Sequence, residues 1–207
     1  MSPEGRIDRR IWLMRRQNST DRDILVNNAG AVRAGRLETI SESDLQAMVE
    51  VNLLAPILLT REALPYLRKS GDGLIVNVTS AAALTGVPFY GTYAAAKAAL
   101  ARFGEALRRE LKGVGVHVLT VYPIDTDTPM MATSKAGADL GFGHESAVDV
   151  AAAIVHGIEA NGLEVTRGGD ARAKLIGLNR ENPLALDERF FGIKAELETA
   201  TRDHKAL

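Results

Sequence analysis

Two side chains suited to proton transfer stand four residues apart in this chain, Tyr93 and Lys97. Four residues are about one helical turn, so on a helix both side chains project from the same face. A lysine ammonium beside a phenol favours the phenolate, because a nearby opposite charge stabilises the charged form. Since an unperturbed tyrosine has a pKa of about 10, the pair predicts a tyrosine with a lowered pKa that exchanges protons near neutral pH.

Two further polar residues precede this pair, Ser80 thirteen positions before the tyrosine and Asn52 further upstream. The four residues also allow a structural interpretation. In that case Tyr93 and Lys97 form a solvated helix pair. Ser80 then caps a strand, and Asn52 is an ordinary polar residue of a helix.

The segments that must position these residues alternate between two kinds of pattern. Apolar runs predict strands over 23–29, 73–80, 116–122 and 163–167, and helical patterns cover 41–69, 91–112, 146–160, 170–179 and 187–204. Pro56 and Pro65 are expected to bend or divide the first helix, and residues 125–143 are expected to form a loop. This alternation predicts an α/β fold, a parallel sheet with helices on both faces.

Composition narrows the class of protein. A chain of 207 residues with 46% hydrophobic residues suits one domain over 1–207 with a sizeable core. A net charge of −1 predicts no nucleic-acid or membrane partner. The absence of cysteine excludes thiolate chemistry and is compatible with the cytoplasm, the predicted location. The four histidines lack the spacing of a metal site, so no metal is expected.

The order of several motifs resembles the short-chain dehydrogenase/reductase family. These are Asn-Asn-Ala-Gly at 27–30, then Asn52, Ser80 and Tyr93-x-x-x-Lys97, and the resemblance covers residues 23–168. It implies a Rossmann-like fold, NAD or NADP as cofactor, and a small carbonyl or alcohol as substrate. The nicotinamide would supply the hydride chemistry while the protein positions it.

The resemblance also implies a role for each of the four polar residues. Tyr93 would donate a proton to a carbonyl oxygen during reduction. Lys97 would lower the pKa of that tyrosine and bind the nicotinamide ribose. Ser80 would donate to the substrate oxygen and stabilise its developing charge. Asn52 would hold a water in a proton relay, in a helix distorted around it.

Further residues would contact the cofactor by the same resemblance. Asn28, Ala29 and Gly30 would approach the adenine-side ribose and the cofactor backbone, because small residues permit close approach. The stretch that begins at Pro123 corresponds to Pro-Gly-x-Val-x-Thr, so Thr126 and Thr128 would bind the nicotinamide carboxamide. Ile124 replaces the glycine of that pattern and adds bulk there. Residues 129–135 would form a mobile substrate lid.

One part of the family pattern does not occur in this chain. Family members begin with a strand, a glycine-rich turn and a helix, whereas only 26 residues precede Asn27 and they hold no such turn. Residues 1–22 are expected to be a poorly ordered leader or the remnant of a helix. We therefore expect an N-terminally truncated sheet of about four strands and impaired cofactor binding. Two hypotheses stay open: an oxidoreductase, or a non-catalytic remnant that acts through dimerisation or partner binding.

The truncation has consequences for the edge of the sheet. Strand 23–29 would become an apolar edge, which predicts marginal stability unless residues 1–22 or a second subunit cover it. In the family, the helices at 41–69 and 91–112 form a dimer interface, so a homodimer or homotetramer is expected. The arginines near the end of the chain, Arg172 among them, alternate with acidic residues and are expected on solvated helix faces.

Overall fold

The computed structural model describes residues 23–206, and its central feature is a parallel sheet of four strands. Their order is β1 (Ile24–Asn27), β3 (Gly73–Val78), β4 (Val116–Tyr122) and β7 (Glu164–Thr166). Every neighbouring pair is parallel. The predicted Rossmann-like sheet with about four strands is confirmed, while the expectations for residues 1–22 lie outside the described residues.

The remaining elements surround this sheet. The helices of the described residues are α1 (Glu42–Val49), α2 (Ala55–Ser70), α3 (Gly91–Glu110), α4 (Ala147–Glu159), α5 (Gly169–Glu181), α6 (Pro183–Gly192) and α7 (Lys194–Thr201). Four short strands complete the set: β2 (Val32–Arg33), β5 (Asp125–Asp127), β6 (His144–Ser146) and β8 (Lys205–Ala206). Strand β2 pairs with β8 in antiparallel fashion, and β5 pairs with β6 in parallel.

Helices cover both faces of the sheet, because alternate side chains of a strand point to opposite faces. On one face, Ile75 and Val118 pack with Leu67 of α2 and Leu107 of α3. On the other face, strand residues such as Leu119 pack against α4. The apolar stripe of α3 therefore faces the core, which is its default interpretation from the sequence. No helix among residues 23–206 combines the length and the apolar character that crossing a membrane requires.

The first long helical segment is distorted at one point. It begins after Ser41, whose hydroxyl accepts a hydrogen bond from Asp44 N at 3.2 Å. A π-helical turn over Glu50–Leu54 then joins α1 to α2, so the distortion lies around Asn52. Pro56 has no backbone N–H, so it cannot donate to the carbonyl one turn earlier as a regular helix requires. The widened turn just before Pro56 does not need that hydrogen bond. Pro65 does not divide α2, contrary to one of the sequence-based alternatives.

The second half of the chain differs from the sequence-based prediction in two places. The predicted loop at 125–143 begins with β5, which is a short strand. The segment predicted as one helix over 187–204 contains part of α6 and all of α7 and is followed by β8. Asn182 begins the extra helix, because its side chain accepts from Ala185 N at 3.2 Å. Short capped helices of this kind are poorly separated by apolar periodicity alone.

Candidate functional site

A pocket of about 390 Å³ opens where the carboxyl ends of β1, β3 and β4 meet, the usual ligand position in open α/β sheets. The structure brings nearly all of the predicted site residues into its lining. They are Asn28, Ala29, Gly30, Ser80, Tyr93, Lys97, Pro123, Thr126 and Thr128. Asn52 lies behind this wall and does not line the pocket. Residues up to 100 positions apart in the chain therefore share one cavity, as the sequence predicts.

Tyr93 and Lys97 occupy successive turns of α3, and their environments differ. The Lys97 side chain is only 3% exposed, and its Nζ donates to the Val78 carbonyl at 3.0 Å. The same Nζ lies 5.9 Å from the centroid of the Tyr93 ring. Tyr93 is partly exposed, and its surface belongs to the pocket wall. A solvated helix pair is therefore the wrong interpretation, because the lysine is buried.

The pKa values differ from the sequence-based expectation. Burial raises the pKa of Tyr93, and the Asp125 charge adds to this, while a hydrogen bond from Ser80 opposes it. Burial also lowers the pKa of Lys97 to about 8. The predicted lowering of the tyrosine pKa by the lysine is thus corrected, because burial of the phenol is the largest cause of its pKa shift. In this state Tyr93 is a neutral phenol, which is the form that can give up a proton.

Ser80 combines the structural and the chemical interpretation. It precedes the short 3₁₀ turn Ala81–Ala83, and its Oγ accepts from Ala82 N at 3.2 Å, so the hydroxyl does cap the end of its strand. The same hydroxyl hydrogen-bonds to Tyr93. Because one hydroxyl has both a proton and lone pairs, it can make the two contacts at once. The Ser80 oxygen is therefore fixed next to the phenol.

Asn52 is fully buried and bonded to the backbone on three sides. Its Nδ2 donates to the carbonyls of Ala31 at 2.7 Å and Met48 at 2.9 Å. Its Oδ1 accepts from Ala31 N at 3.2 Å. These bonds tie the π-helical turn to the loop after β1, so the side chain holds the pocket wall from behind. The predicted distortion of the helix around Asn52 is present.

Gly30 lies where a larger residue would not fit easily. A Cβ at this position would stand 3.3 Å from Asn52 Oδ1, 3.4 Å from Met130 Cε and 3.5 Å from Lys97 Nζ. The glycine thus keeps open a narrow space between the lysine and the Met130 side chain. This narrow space at Gly30, which we call the cradle, allows a ligand to approach the backbone closely.

Ile124 fits the pocket wall despite replacing the expected glycine. It does not have a positive φ, so the β-branched side chain causes no backbone strain there. Its Cγ2 instead fills the space beside Gly168, where a Cβ would lie only 2.9 Å away. The hydroxyl of Thr126 donates to the Ile124 carbonyl at 2.8 Å and so stiffens this stretch.

Several residues of the pocket were not predicted. Tyr90, Asp125, Arg172 and His204 all line it. Arg172 is half-buried rather than on a solvated helix face, so that expectation is wrong. Burial raises the pKa of the Asp125 carboxyl, and the charges of His144 and Arg172 oppose this rise. The position of Tyr90, three residues before Tyr93, is a usable sequence signal, whereas nothing local marks His204 or Arg172.

The sequence also matches known proteins. A family described as short chain dehydrogenases matches residues 15–139. A ketoacyl reductase, HetN, from a Nostoc species is 32% identical over 179 residues, which are 83% of this chain and 62% of that protein. A 3-ketodihydrosphingosine reductase from Bacteroides thetaiotaomicron is 29% identical over 78% of this chain and 60% of that protein.

A solved structure has a similar fold. It is a short chain dehydrogenase from Burkholderia cenocepacia in complex with NADP, with a TM-score of 0.69 and 26% sequence identity. The similarity covers 80% of this chain and 67% of that structure. The chain thus spans less than two thirds of the length of both curated relatives, 62% and 60%.

Proposed function

We propose that this chain, which belongs to the short-chain dehydrogenase family, is an oxidoreductase that uses NAD or NADP to interconvert a carbonyl compound and an alcohol. The observation that carries this proposal is the meeting of Ser80, Tyr93 and Lys97 in one pocket. The relatives named as reductases support the reaction class. The NADP complex of the Burkholderia protein supports the cofactor class, with NAD and NADP both open.

Tyr93 would act as the proton donor in the reducing direction. Its raised pKa keeps the phenol protonated, and the Ser80 hydroxyl beside it would donate to the same substrate oxygen. The bound nicotinamide would supply a hydride to the carbonyl carbon. The proton from Tyr93 then completes the alcohol, and the phenolate left behind is stabilised by Ser80 and by Lys97 in its charged form. Asn52 would support the proton relay, as its place behind Gly30 allows.

The residues around the pocket fit a dinucleotide. Gly30 leaves the narrow cradle described above, and Asn28 and Ala29 continue it along the wall. Thr126 and Thr128, on the stretch after Pro123, would hold the nicotinamide carboxamide. Lys97 reaches the pocket and would bind the nicotinamide ribose. We therefore assign Thr126, Thr128 and Lys97 to the nicotinamide half of the cofactor, and Asn28, Ala29 and Gly30 to its adenine-side ribose and backbone.

We assign the apolar part of the pocket lining to the substrate end. Its side chains are Val87, Met130, Met131, Phe142, Val150 and Ile154. Burial of apolar surface would favour a carbonyl compound with apolar substituents. Methionine adapts its shape to irregular ligands, so we propose small, apolar ketones or aldehydes as the first substrates to examine. Assembly as a homodimer or homotetramer through α2 and α3, and a cytoplasmic location, stay predictions.

Two experiments test the function: cofactor binding, and removal of the Tyr93 hydroxyl by substitution. NADH and NADPH are titrated against the 207-residue chain by cofactor fluorescence and thermal shift, and carbonyl turnover is then measured. Tyr93→Phe should lower turnover by about 10²–10⁴-fold, the usual range for a general acid, with little change in cofactor affinity. Tyr66→Phe is the matched control, because Tyr66 is 58% exposed on α2 and far from the pocket.

Two results would contradict the proposal. Unchanged turnover in Tyr93→Phe would remove the proton donor. A well-folded chain that binds neither cofactor at millimolar concentration would favour the alternative, a non-catalytic protein that acts through dimerisation or partner binding.

A further inference from the structure

Residues 201–206, which we call the strap, return from α7 to the pocket. Strand β8 of the strap pairs with β2, next to the cofactor-binding wall. Lys205 N donates to the hydroxyl of Thr133 at 3.1 Å. Just before the strap, the Ala200 carbonyl accepts from Lys135 N at 2.9 Å. The strap therefore connects the loop after β1 to residues 129–135, the segment predicted to be the substrate lid.

His204 lies at the centre of the strap and is only 2% exposed. Its Nε2 lies 3.1 Å from the Met130 carbonyl, and its Nδ1 lies 2.8 Å from the Tyr90 hydroxyl. A carbonyl oxygen can only accept, so Nε2 carries a proton. In the neutral imidazole, Nδ1 then accepts from the Tyr90 hydroxyl, and both nitrogens are bonded in a defined direction.

Both partners are held in the protonation states that these bonds require. Burial lowers the pKa of His204, and the nearby Arg33 charge lowers it further. Burial also raises the pKa of Tyr90, so its hydroxyl keeps the proton that it donates. The chain from Tyr90 through His204 to the Met130 carbonyl is therefore complete over the neutral pH range.

Tyr90 is also held in place by the turn that precedes α3. It directly precedes α3, and the preceding residue, Phe89, has a φ of 71°, which is rare for a bulky residue. The Phe89 carbonyl accepts from Gly35 N at 2.9 Å and holds this turn. The Tyr90 ring lies edge-on to Tyr93, with centroids 6.3 Å apart. Tyr90 therefore links the helix of the proposed proton donor to the strap.

We propose that Tyr90 and His204 are positioning residues that latch the lid, residues 129–135, over the substrate end of the pocket. The latch acts through the backbone of Met130, whose side chain faces the cradle at Gly30. Loss of these hydrogen bonds would make residues 129–135 more mobile, and these residues form the wall against which an apolar substrate packs. The consequence for the reaction rests on the proposed function, whereas the effect on the lid does not.

Hydrogen exchange of the lid in the free, full-length chain tests the latch directly. The reporter is the amide of Lys135, and the reference amides are those of Ile75 and Leu119 in the core strands. Tyr90→Phe and His204→Asn should speed exchange of the lid on the order of tenfold, because each leaves a buried bonding group without a partner. Exchange at the reference amides should stay unchanged.

A matched pair of substitutions separates the two bonds of His204. Glutamine places its amide near the position of Nε2, so His204→Gln keeps a donor for the Met130 carbonyl. Asparagine places its amide near Nδ1 and cannot reach that carbonyl. His204→Gln therefore loses only the bond to Tyr90, and its lid exchange should rise as much as in Tyr90→Phe, whereas His204→Asn loses the bond to Met130.

Kinetics give a second measurement that a purely structural role would not produce. With a small apolar ketone and saturating cofactor, Tyr90→Phe should raise the substrate KM severalfold, while kcat and cofactor affinity change less. His204→Gln should raise the KM as Tyr90→Phe does, because both variants remove the bond between Tyr90 and His204. A catalytic role for Tyr90 would instead lower kcat.

Two outcomes would overturn the latch. One is a folded Tyr90→Phe chain with lid exchange equal to that of the unmodified chain. The other is an equal rise at the lid and at the reference amides, which would indicate loss of global stability only. Failure of the chain to turn over any carbonyl compound would contradict the proposed function alone, because the exchange experiment needs neither cofactor nor substrate.

Discussion

At the scale of single residues, desolvation is the dominant effect in this pocket. Lys97 is buried, its Nζ donates to the Val78 carbonyl, and burial lowers its pKa to about 8. Tyr93 is shifted the opposite way, toward the neutral phenol. Both shifts favour uncharged forms, as expected where water is excluded. Tyr93 is therefore protonated and able to donate in the free protein. A charged group of a bound ligand would shift the pKa values of both Tyr93 and Lys97.

Lys97 should make stability depend on alkaline pH. Its pKa is about 8 in the folded chain and 10.5 as the ordinary value, so the unfolded chain binds more protons between these values. The free energy of unfolding therefore rises as pH increases through this window. Between pH 7.5 and 10 the unmodified chain should gain roughly 2 kcal/mol relative to Lys97→Met.

Urea unfolding at the two pH values measures this difference. Lys112→Met, an exposed lysine just after α3, is the control and should follow the unmodified chain. Parallel pH curves for the unmodified chain and Lys97→Met would mean that Lys97 keeps its ordinary pKa in the folded state.

At the scale of elements, the site depends on irregular segments attached to regular ones. The π-helical turn lets Asn52 face the loop after β1, where it makes its three backbone bonds. A regular α-helix would rotate the residues after this turn by a different amount. The wall of the cradle at Gly30 is thus built by one widened turn. In the same way, the 3₁₀ turn after β3 fixes the Ser80 hydroxyl.

Replacing Asn52 should therefore weaken both fold and site. Asn52→Ala leaves polar groups of Ala31 and Met48 buried without partners, so the free energy of unfolding should fall by about 3 kcal/mol. Chemical denaturation measures this loss, and cofactor titration should show weaker binding at the same time. Gln46→Ala on the exposed face of α1 should change stability by less than about 0.5 kcal/mol. A loss of that small size in Asn52→Ala would show that the bonds contribute little.

At the scale of the whole molecule, β1 forms one edge of the four-stranded sheet among the described residues. Among residues 23–206, β1 pairs only with β3. Its side chains Ile24 and Val26 are 41% and 51% exposed, on the face opposite the core contacts of Leu25. Unpaired apolar edges promote association between chains. The predicted apolar edge is therefore present within the described residues, and its effect on stability stays a prediction.

A polar substitution on the exposed face of β1 should reduce association between chains. Val26→Thr keeps the shape and removes apolar surface, so the weight-average mass at high protein concentration should fall, with little change in the unfolding midpoint. Sedimentation velocity over a concentration series measures this. Val155→Thr on α4, where Val155 is 52% exposed, is the matched control and should leave association unchanged. Equal association in both variants would show that the exposed Val26 side chain is not part of the contact.

The sequence by itself predicted the strands that became β1, β3 and β4 and a parallel sheet, and its resemblance to the family implied one site for Ser80, Tyr93 and Lys97. The strands follow from local apolar patterns and the Tyr93–Lys97 pair follows from spacing along one helix, which act over few residues. Only the tertiary structure decided that His204 meets Tyr90, that Arg172 enters the pocket and that the pKa of Tyr93 rises. Burial and hydrogen bonding of these groups depend on segments that are distant in the chain, 114 positions apart for Tyr90 and His204, and no local pattern encodes which distant segment excludes the water.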